Sequence, residues 1–254
     1  MCILAIETAI SSGSIGILKE NKIVYQDYAE VLTTHSETIM TRIENGLKTV
    51  KIDKSDLKAV SISIGPGSFT GLRIGLATAK GISTGLRIPL IAFNTLEVLA
   101  SNVLGTNQNI LSILDARMKE AYIAVYDPYL NIIMESHSRG HEKITEGLVG
   151  EYICVGDITL IKNHLISKYE YNEQLEIITT DEGGRFQFAL PHQNMLMAAS
   201  QFSLMKYKKI KLEYDEDYIY QLEPHYVRNA DVQWKQNVKP ASCRANLRLA
   251  LSSR

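Results

Sequence analysis

Leu57-Lys58-Ala59-Val60-Ser61-Ile62-Ser63-Ile64-Gly65-Pro66-Gly67-Ser68-Phe69-Thr70-Gly71-Leu72-Arg73 is the stretch on which the fold turns. Its first eight residues are a short apolar run that reads as a strand. Gly65-Pro66-Gly67 stops it, because proline removes a backbone donor and glycine admits angles closed to other residues. A helix is expected from about Thr70 to Thr84, in spite of Gly71, Gly75 and Gly81, which helix propensity disfavours. Small residues inside a helix make sense where another backbone comes close. Strand, tight break and helix in succession form the crossover of an α/β fold.

Towards the N-terminus, short apolar runs alternate with turn signals over Cys2 to Ile6, Gly13 to Leu18 and Ile23 to Tyr28, with Glu20-Asn21 as a hairpin tip. Thr34-His35-Ser36-Glu37 has the spacing of a capping box. The helix it opens, about His35 to Thr49, carries Ile39, Met40, Ile43 and Leu47 on one face. Towards the C-terminus, Pro89 to Phe93 is a short strand and Asn94 caps a helix to about Val103. The order β-β-β-α-β-α-β-α is that of a ribonuclease-H-like lobe, in which an antiparallel meander is extended by parallel strands through helical crossovers. A fainter second copy follows. Leu111 to Leu114, Ala121 to Tyr126 and Ile132 to Glu135 form its meander, Tyr152 to Val155 and Leu175 to Ile178 its later strands, and Thr159 to Lys168 a helix. A further helix over Pro191 to Tyr207 offers Met195, Met197, Ala198, Phe202 and Met205 to a core. The expected fold is therefore α/β and actin-like, with lobes at 1–104 and 105–230. The tail at 231–254 has Lys and Arg but no acidic residue beyond Asp231 and is expected to be poorly ordered.

Composition narrows the function. With 45% hydrophobic and 22% charged residues, the 254-residue chain has the balance of an ordinary globular protein. Its net charge of −1 gives no general attraction to nucleic acid, so any RNA would be gripped by another subunit. No apolar run approaches the roughly 18 residues that cross a bilayer, and the N-terminus has no secretory signal, so no membrane contact and a cytoplasmic location are expected. Cys2, Cys154 and Cys243 are scattered, which leaves neither a disulfide framework nor a zinc spacing.

Three features invite a chemical reading. Glu7-Thr8, followed by Ser11-Ser12-Gly13, sits where actin-fold ATPases place an acidic residue and a phosphate-binding hairpin. A carboxylate at a strand end is more often solvated or capping than catalytic. The Gly65 to Gly71 segment joins a strand to a helix N-terminus, where amides can cradle an anion. It lacks the Lys-Ser/Thr ending of a Walker loop, and a tight turn that lets two helices approach is the plainer explanation. His137 and His141 have a metal-like spacing, but Gly140 between them argues for a loop with two surface histidines. No metal site, cofactor or catalytic residue is nominated, and a metalloprotease reading fails because there is no H-E-x-x-H.

The run Gly65-Pro66-Gly67-Ser68-Phe69-Thr70-Gly71-Leu72-Arg73 resembles the TsaB (YeaZ) family of bacterial threonylcarbamoyladenosine synthesis, within the glycoprotease (peptidase M22-like) superfamily. Ile3-Leu4-Ala5-Ile6-Glu7-Thr8, His35-Ser36-Glu37, Asp115-Ala116-Arg117 and Pro224-His225-Tyr226-Val227-Arg228 continue the likeness, with Glu7 where Asp is common. In the catalytic relative TsaD an H-x-x-x-H pair binds a metal; the matching positions here look like Thr95 and Leu99, which lack imidazoles. The resemblance implies a non-catalytic subunit that binds and activates a TsaD-like paralogue, with a TsaE-like ATPase resetting the complex and tRNA met only through it. It also implies a docking face on the first lobe's two helices. That face would use His35, Ile39, Met40, Ile43 and Leu47 on one helix and Phe69, Leu72, Gly75, Leu76 and Ala79 on the other. Such a surface also invites pairing of two copies of this chain. Glu7, Thr8, Ser11, Ser12 and Gly13 would be a vestigial nucleotide site. The alternative is an autonomous actin-fold ATPase or small-molecule kinase that uses those residues.

Overall fold

A hairpin sets the first sheet. Glu20 and Asn21 both take positive φ, 51° and 63°, the pair of angles a tight two-residue turn demands. They join β2 (Ser12–Lys19) to β3 (Lys22–Glu30), and β2 also pairs antiparallel with β1 (Cys2–Glu7). α1 (His35–Thr49) then crosses to β4 (Leu57–Gly65), and α2 (Phe69–Leu86) crosses to β5 (Leu90–Asn94). Both crossovers return parallel, which gives the order β3-β2-β1-β4-β5. Ser68 caps α2 by accepting from the Gly71 amide, and Asn94 caps α3 (Thr95–Ala100) by accepting from Leu96. The structure, a computed structural model, describes residues 1–10, 12–30, 35–172, 177–189 and 197–227. The expected capping residue Thr34, the residue Met195 and the basic tail lie outside these.

The second sheet repeats the first. β6 (Asn109–Arg117), β7 (Glu120–Tyr126) and β8 (Ile132–Gly140) form the meander, β9 (Gly150–Gly156) adds in parallel to β6, and β12 (Gly184–Phe188) adds in parallel to β9. α4 (Thr159–Lys168) follows β9, and β10 (Glu170–Asn172) and β11 (Ile177–Thr179) extend the sheet antiparallel. The full order is β10-β11-β12-β9-β6-β7-β8. The fold is thus α/β with two ribonuclease-H-like lobes. The fifth place of the second unit belongs to β12, not to the expected strand near Ile178. Gly184 to Phe188 alternates buried and more open positions and so lays Phe186 and Phe188 against α4, whereas Ile177–Thr179 only bridges β12 to β10. β8 also runs on to Gly140, so His137 lies in a strand and not in a loop.

Three apolar layers hold this together. Cys2, Leu4, Ile6, Ile15, Ile17, Val60 and Ile62 face α1 and α2, while Leu111, Ile113, Ile123 and Cys154 face α4. The opposite faces of the two sheets meet through a shared layer that contains Ile3, Ala5, Phe93, Leu114, Tyr126 and residues of α3 and of α5 (Met197–Lys208). α5 lies on β1 and β2, and α6 (Glu216–Gln221) lies on α2. Residues 197–227 therefore pack on the first lobe. The expected division at residue 104 assigned them to the second lobe, because order along the chain does not reveal which helices cross back.

Candidate functional site

Three of the segments quoted for the family resemblance, Ile3 to Thr8, Gly65 to Arg73 and Pro224 to Val227, come together around the ends of β1 and β4. Glycines make the approach possible. A Cβ on Gly67 would stand 2.1 Å from the Ala9 carbonyl oxygen, one on Gly71 2.0 Å from the Thr8 carbonyl oxygen, and one on Gly75 2.0 Å from Thr8 Oγ1. The start of α2 therefore lies directly on the Thr8-Ala9 corner. Ser68 N–H donates to the Ala9 carbonyl at 2.6 Å and Thr8 Oγ1 donates to the Gly71 carbonyl at 2.8 Å. Ser68 and Gly71 thus spend their amides inside the chain, as a turn for close backbone approach requires.

A strap from Leu222 to Val227 covers the same turn. His225 N–H donates to the Ile64 carbonyl at 2.7 Å, and Gly65, at φ 125°, leaves room for the His225 carbonyl, which a Cβ would meet at 2.5 Å. Next to it the Phe69 and Tyr226 rings lie 5.0 Å apart. Arg73 sits with its guanidinium carbon 3.8 Å from the Phe69 centroid, and its Nε donates to the Tyr226 hydroxyl at 2.9 Å.

Beneath this corner Glu7 is sealed, with 0% of its surface exposed. Its Oε1 accepts from the Ala9 amide at 2.7 Å, and its Oε2 has no hydrogen-bond partner. Burial pushes the carboxyl above its ordinary range, and Ser63, Ala9, Gln201 and Thr8 draw it only part of the way back. Neither Ser63 nor Gln201 reaches Oε2 in bonding geometry. Gln201 of α5 forms the floor: its Oε1 accepts from Ser61 at 2.7 Å, and its Nε2 donates to the Ile6 carbonyl at 2.9 Å and to Ser63 at 3.2 Å. Sequence reasoning missed Gln201. The signal was a lone amide on the apolar stripe of Ala198, Phe202 and Met205. Of the other residues of the expected nucleotide site, Gly13 gives its carbonyl to Arg42 at 2.9 Å. Ser11 and the Ser12 side chain lie outside what is described.

The expected docking residues divide. Ile39, Ile43, Leu47, Leu72, Gly75, Leu76 and Ala79 are buried, most of them in the layer between α1, α2 and the first sheet. An apolar helical stripe is what packing on the chain's own sheet requires, so these side chains have no surface left for a partner. Phe69 is half-buried under Arg73, Met40 is 46% exposed, and the His35 side chain lies outside what is described. The outward positions of α2 are Thr70, Arg73, Ala77, Gly81 and Gly85, and those of α1 include Thr41, Glu44 and Lys48. A Cβ on Gly81 or Gly85 would meet nothing within 4 Å.

At the positions read as matching the catalytic relative's two histidines, Thr95 is 0% exposed with an Oγ1 unpartnered among the described residues, and Leu99 is buried in the layer between the sheets. Among the described residues no group of three His, Cys, Asp or Glu could hold a metal ion, and no helix is long and apolar enough to cross a membrane. His137 and His141 bond separately to the Glu135 and Glu120 carbonyls. In the second lobe Asp115 donates its amide to Asp157 Oδ2 at 2.8 Å. Burial pushes the Asp157 carboxyl up; the Asp115 amide lowers it, while the Asp115 charge adds to the rise.

The family model described as "TsaD: tRNA N6-adenosine threonylcarbamoyltransferase" matches residues 29–230. The tRNA threonylcarbamoyladenosine biosynthesis protein TsaB of Escherichia coli (strain K12) is 31% identical over 166 residues, 61% of this chain and 71% of that protein. The protein of the same name from Bacillus subtilis (strain 168) is 33% identical over 135 residues, 53% of this chain and 58% of that protein. The match thus spans less than two thirds of the Bacillus relative. YeaZ from Pseudomonas aeruginosa superposes with a TM-score of 0.65 at 18% identity, covering 89% of this chain and 99% of that one. A structure described as an uncharacterized protein with similarity to peptidase YEAZ from Pseudomonas aeruginosa gives 0.66 at 17% identity, again over 89% and 99%. At such identities the superpositions establish the fold.

Proposed function

Because the chain belongs to the TsaB (YeaZ) family, a branch of the tRNA N6-adenosine threonylcarbamoyltransferase superfamily, we propose that it is a non-catalytic subunit in threonylcarbamoyladenosine synthesis on tRNA. It binds and activates a TsaD-like paralogue in the cytoplasm, alongside a TsaE-like ATPase. The observation that carries this reading is at α3: Thr95 and Leu99 stand where the catalytic relative's two histidines are expected, and both are closed into the core. Neither side chain can bind an ion as imidazole does. Glu7 agrees with it. Its carboxyl is closed from water and has no exposed surface to offer the magnesium of a nucleotide. The burial of Glu7 weighs against the autonomous ATPase or kinase reading.

The docking face of this reading is the outward side of α1 and α2, not the buried stripe. Each glycine in a helix costs about 1 kcal/mol relative to alanine, and among the described residues Gly81 and Gly85 have no neighbour that demands it. A partner helix lying flat on α2 accounts for both. A standard interface buries about 1,600 Å² in total, enough to fix a partner's conformation without chemistry in the binder. The test is reconstitution of tRNA modification from purified components. The paralogue with this chain is expected to be active, while this chain alone, and the paralogue with Ala77→Arg or Gly81→Arg, are expected to be inactive. Modification by the isolated chain, or full activity of both arginine variants, overturns the reading.

A further inference from the structure

Resting on that docking reading, we propose that Arg73, stacked on Phe69 and tied to Tyr226, is the charged anchor of the surface and takes a carboxylate from an acidic side chain of the protein partner. α2 contains Arg73 and Lys80 and no Asp or Glu. Lys80 is already used, its Nζ donating to the Tyr220 carbonyl at 3.1 Å. Arg73 is exposed and spends only Nε, and none of the ion pairs among the described residues includes it. Both terminal nitrogens remain for an incoming group.

The guanidinium is also held in place. Phe69 covers one face at 3.8 Å, and the Tyr226 hydroxyl fixes the Nε edge. Phe69 is itself set by the Ser68 cap, and Tyr226 by the backbone bond from its neighbour His225 to Ile64. An arginine fixed this way loses less side-chain freedom on binding than a loose one, and its fork fits a carboxylate with two parallel hydrogen bonds.

The surroundings favour a protein over a nucleic acid. An RNA backbone is gripped by clustered Lys and Arg, and within α2, of its two cations, only Arg73 is unspent among the described residues. Beyond Arg73 the helix offers Ala77, Gly81 and Gly85, a flat strip for another backbone, flanked by exposed Tyr220 and Tyr226. Tyr and Arg are the residues enriched at the energetic centres of protein interfaces.

The experiment is titration calorimetry of the purified chain against its purified TsaD-family paralogue from the same cell, at low and moderate salt, with circular dichroism of every variant. Arg73→Ala is expected to weaken binding about 30-fold and Arg73→Glu by more, with a shallower salt dependence for Arg73→Ala than for the native chain. Arg73→Lys keeps the charge without the fork and should fall between, and it carries the test should Arg73→Ala fold poorly. Tyr226→Phe frees the guanidinium and should cost a few-fold. Unchanged affinity in Arg73→Ala and Arg73→Lys overturns the anchor and leaves the docking reading standing. A native chain that does not bind the paralogue removes the docking reading itself. Loss of tRNA retention by the complex at unchanged paralogue affinity would assign Arg73 to RNA and also overturn the proposal.

Discussion

Along α2, Gly71 and Gly75 face the Thr8-Ala9 corner, where an added Cβ would stand 2.0 Å from Thr8 atoms, while Gly81 and Gly85 face outward with nothing within 4 Å. One residue type thus serves two purposes within a single helix. The inner pair lets the helix and the end of β1 share space that no side chain could enter, and the chain needs it in order to fold. The outer pair weakens the helix without return inside the chain, so its explanation lies with what covers that face. A count of glycines in the sequence cannot make this separation; the burial around each can.

The contrast can be broken by substitution. Gly75→Ala forces a methyl into Thr8 and is expected to destabilise by roughly 3 kcal/mol, the upper range for overpacking, read from urea or thermal unfolding. Near-normal stability would mean that the helix can lift off the corner. Gln201→Leu tests the floor of the same region. It takes away the acceptor of the Ser61 hydroxyl and the donor to the Ile6 carbonyl and Ser63, and should cost about 2 kcal/mol. Gly81→Ala has the opposite sign: the isolated chain should gain about 1 kcal/mol from helix propensity, with weaker binding to the paralogue. A loss of stability there would show that the outer glycines serve the fold after all.

Glu7→Gln gives an effect that depends on pH. Burial raises the Glu7 pKa in the folded chain, so the folded state keeps a proton that the unfolded chain has already released. The stability is fully present below the ordinary carboxyl range and is lost as pH rises towards the folded value. Glutamine imitates the neutral carboxyl, so the variant's stability relative to the native chain should increase from acid to neutral pH. Parallel profiles of the two proteins would show that Glu7 ionises freely.

The first lobe was legible because its cues are local. The Glu20-Asn21 turn, the Gly65 to Gly67 break and the Asn94 cap each act within a few residues, and the structure has strands and helices there as expected. The second lobe was fainter. Its fifth strand sits at Gly184–Phe188, after an antiparallel strand that looked like the better candidate, since parallel partners are chosen by the sheet and not by the segment. Gln201 and Tyr226 were harder still. Both act on residues 140 and more positions earlier, Ser61 and Arg73.

From the sequence alone came the α/β order of the first lobe and the resemblance carried by Gly65 to Arg73. These depend on residue identity and short-range backbone geometry. Only the tertiary structure decided which face of α1 and α2 is spent on the sheet, that residues 197–227 return to the first lobe, and that Glu7 is closed from water. Each of those depends on which distant surfaces meet, and an amphipathic stripe specifies that it must be covered without specifying by what.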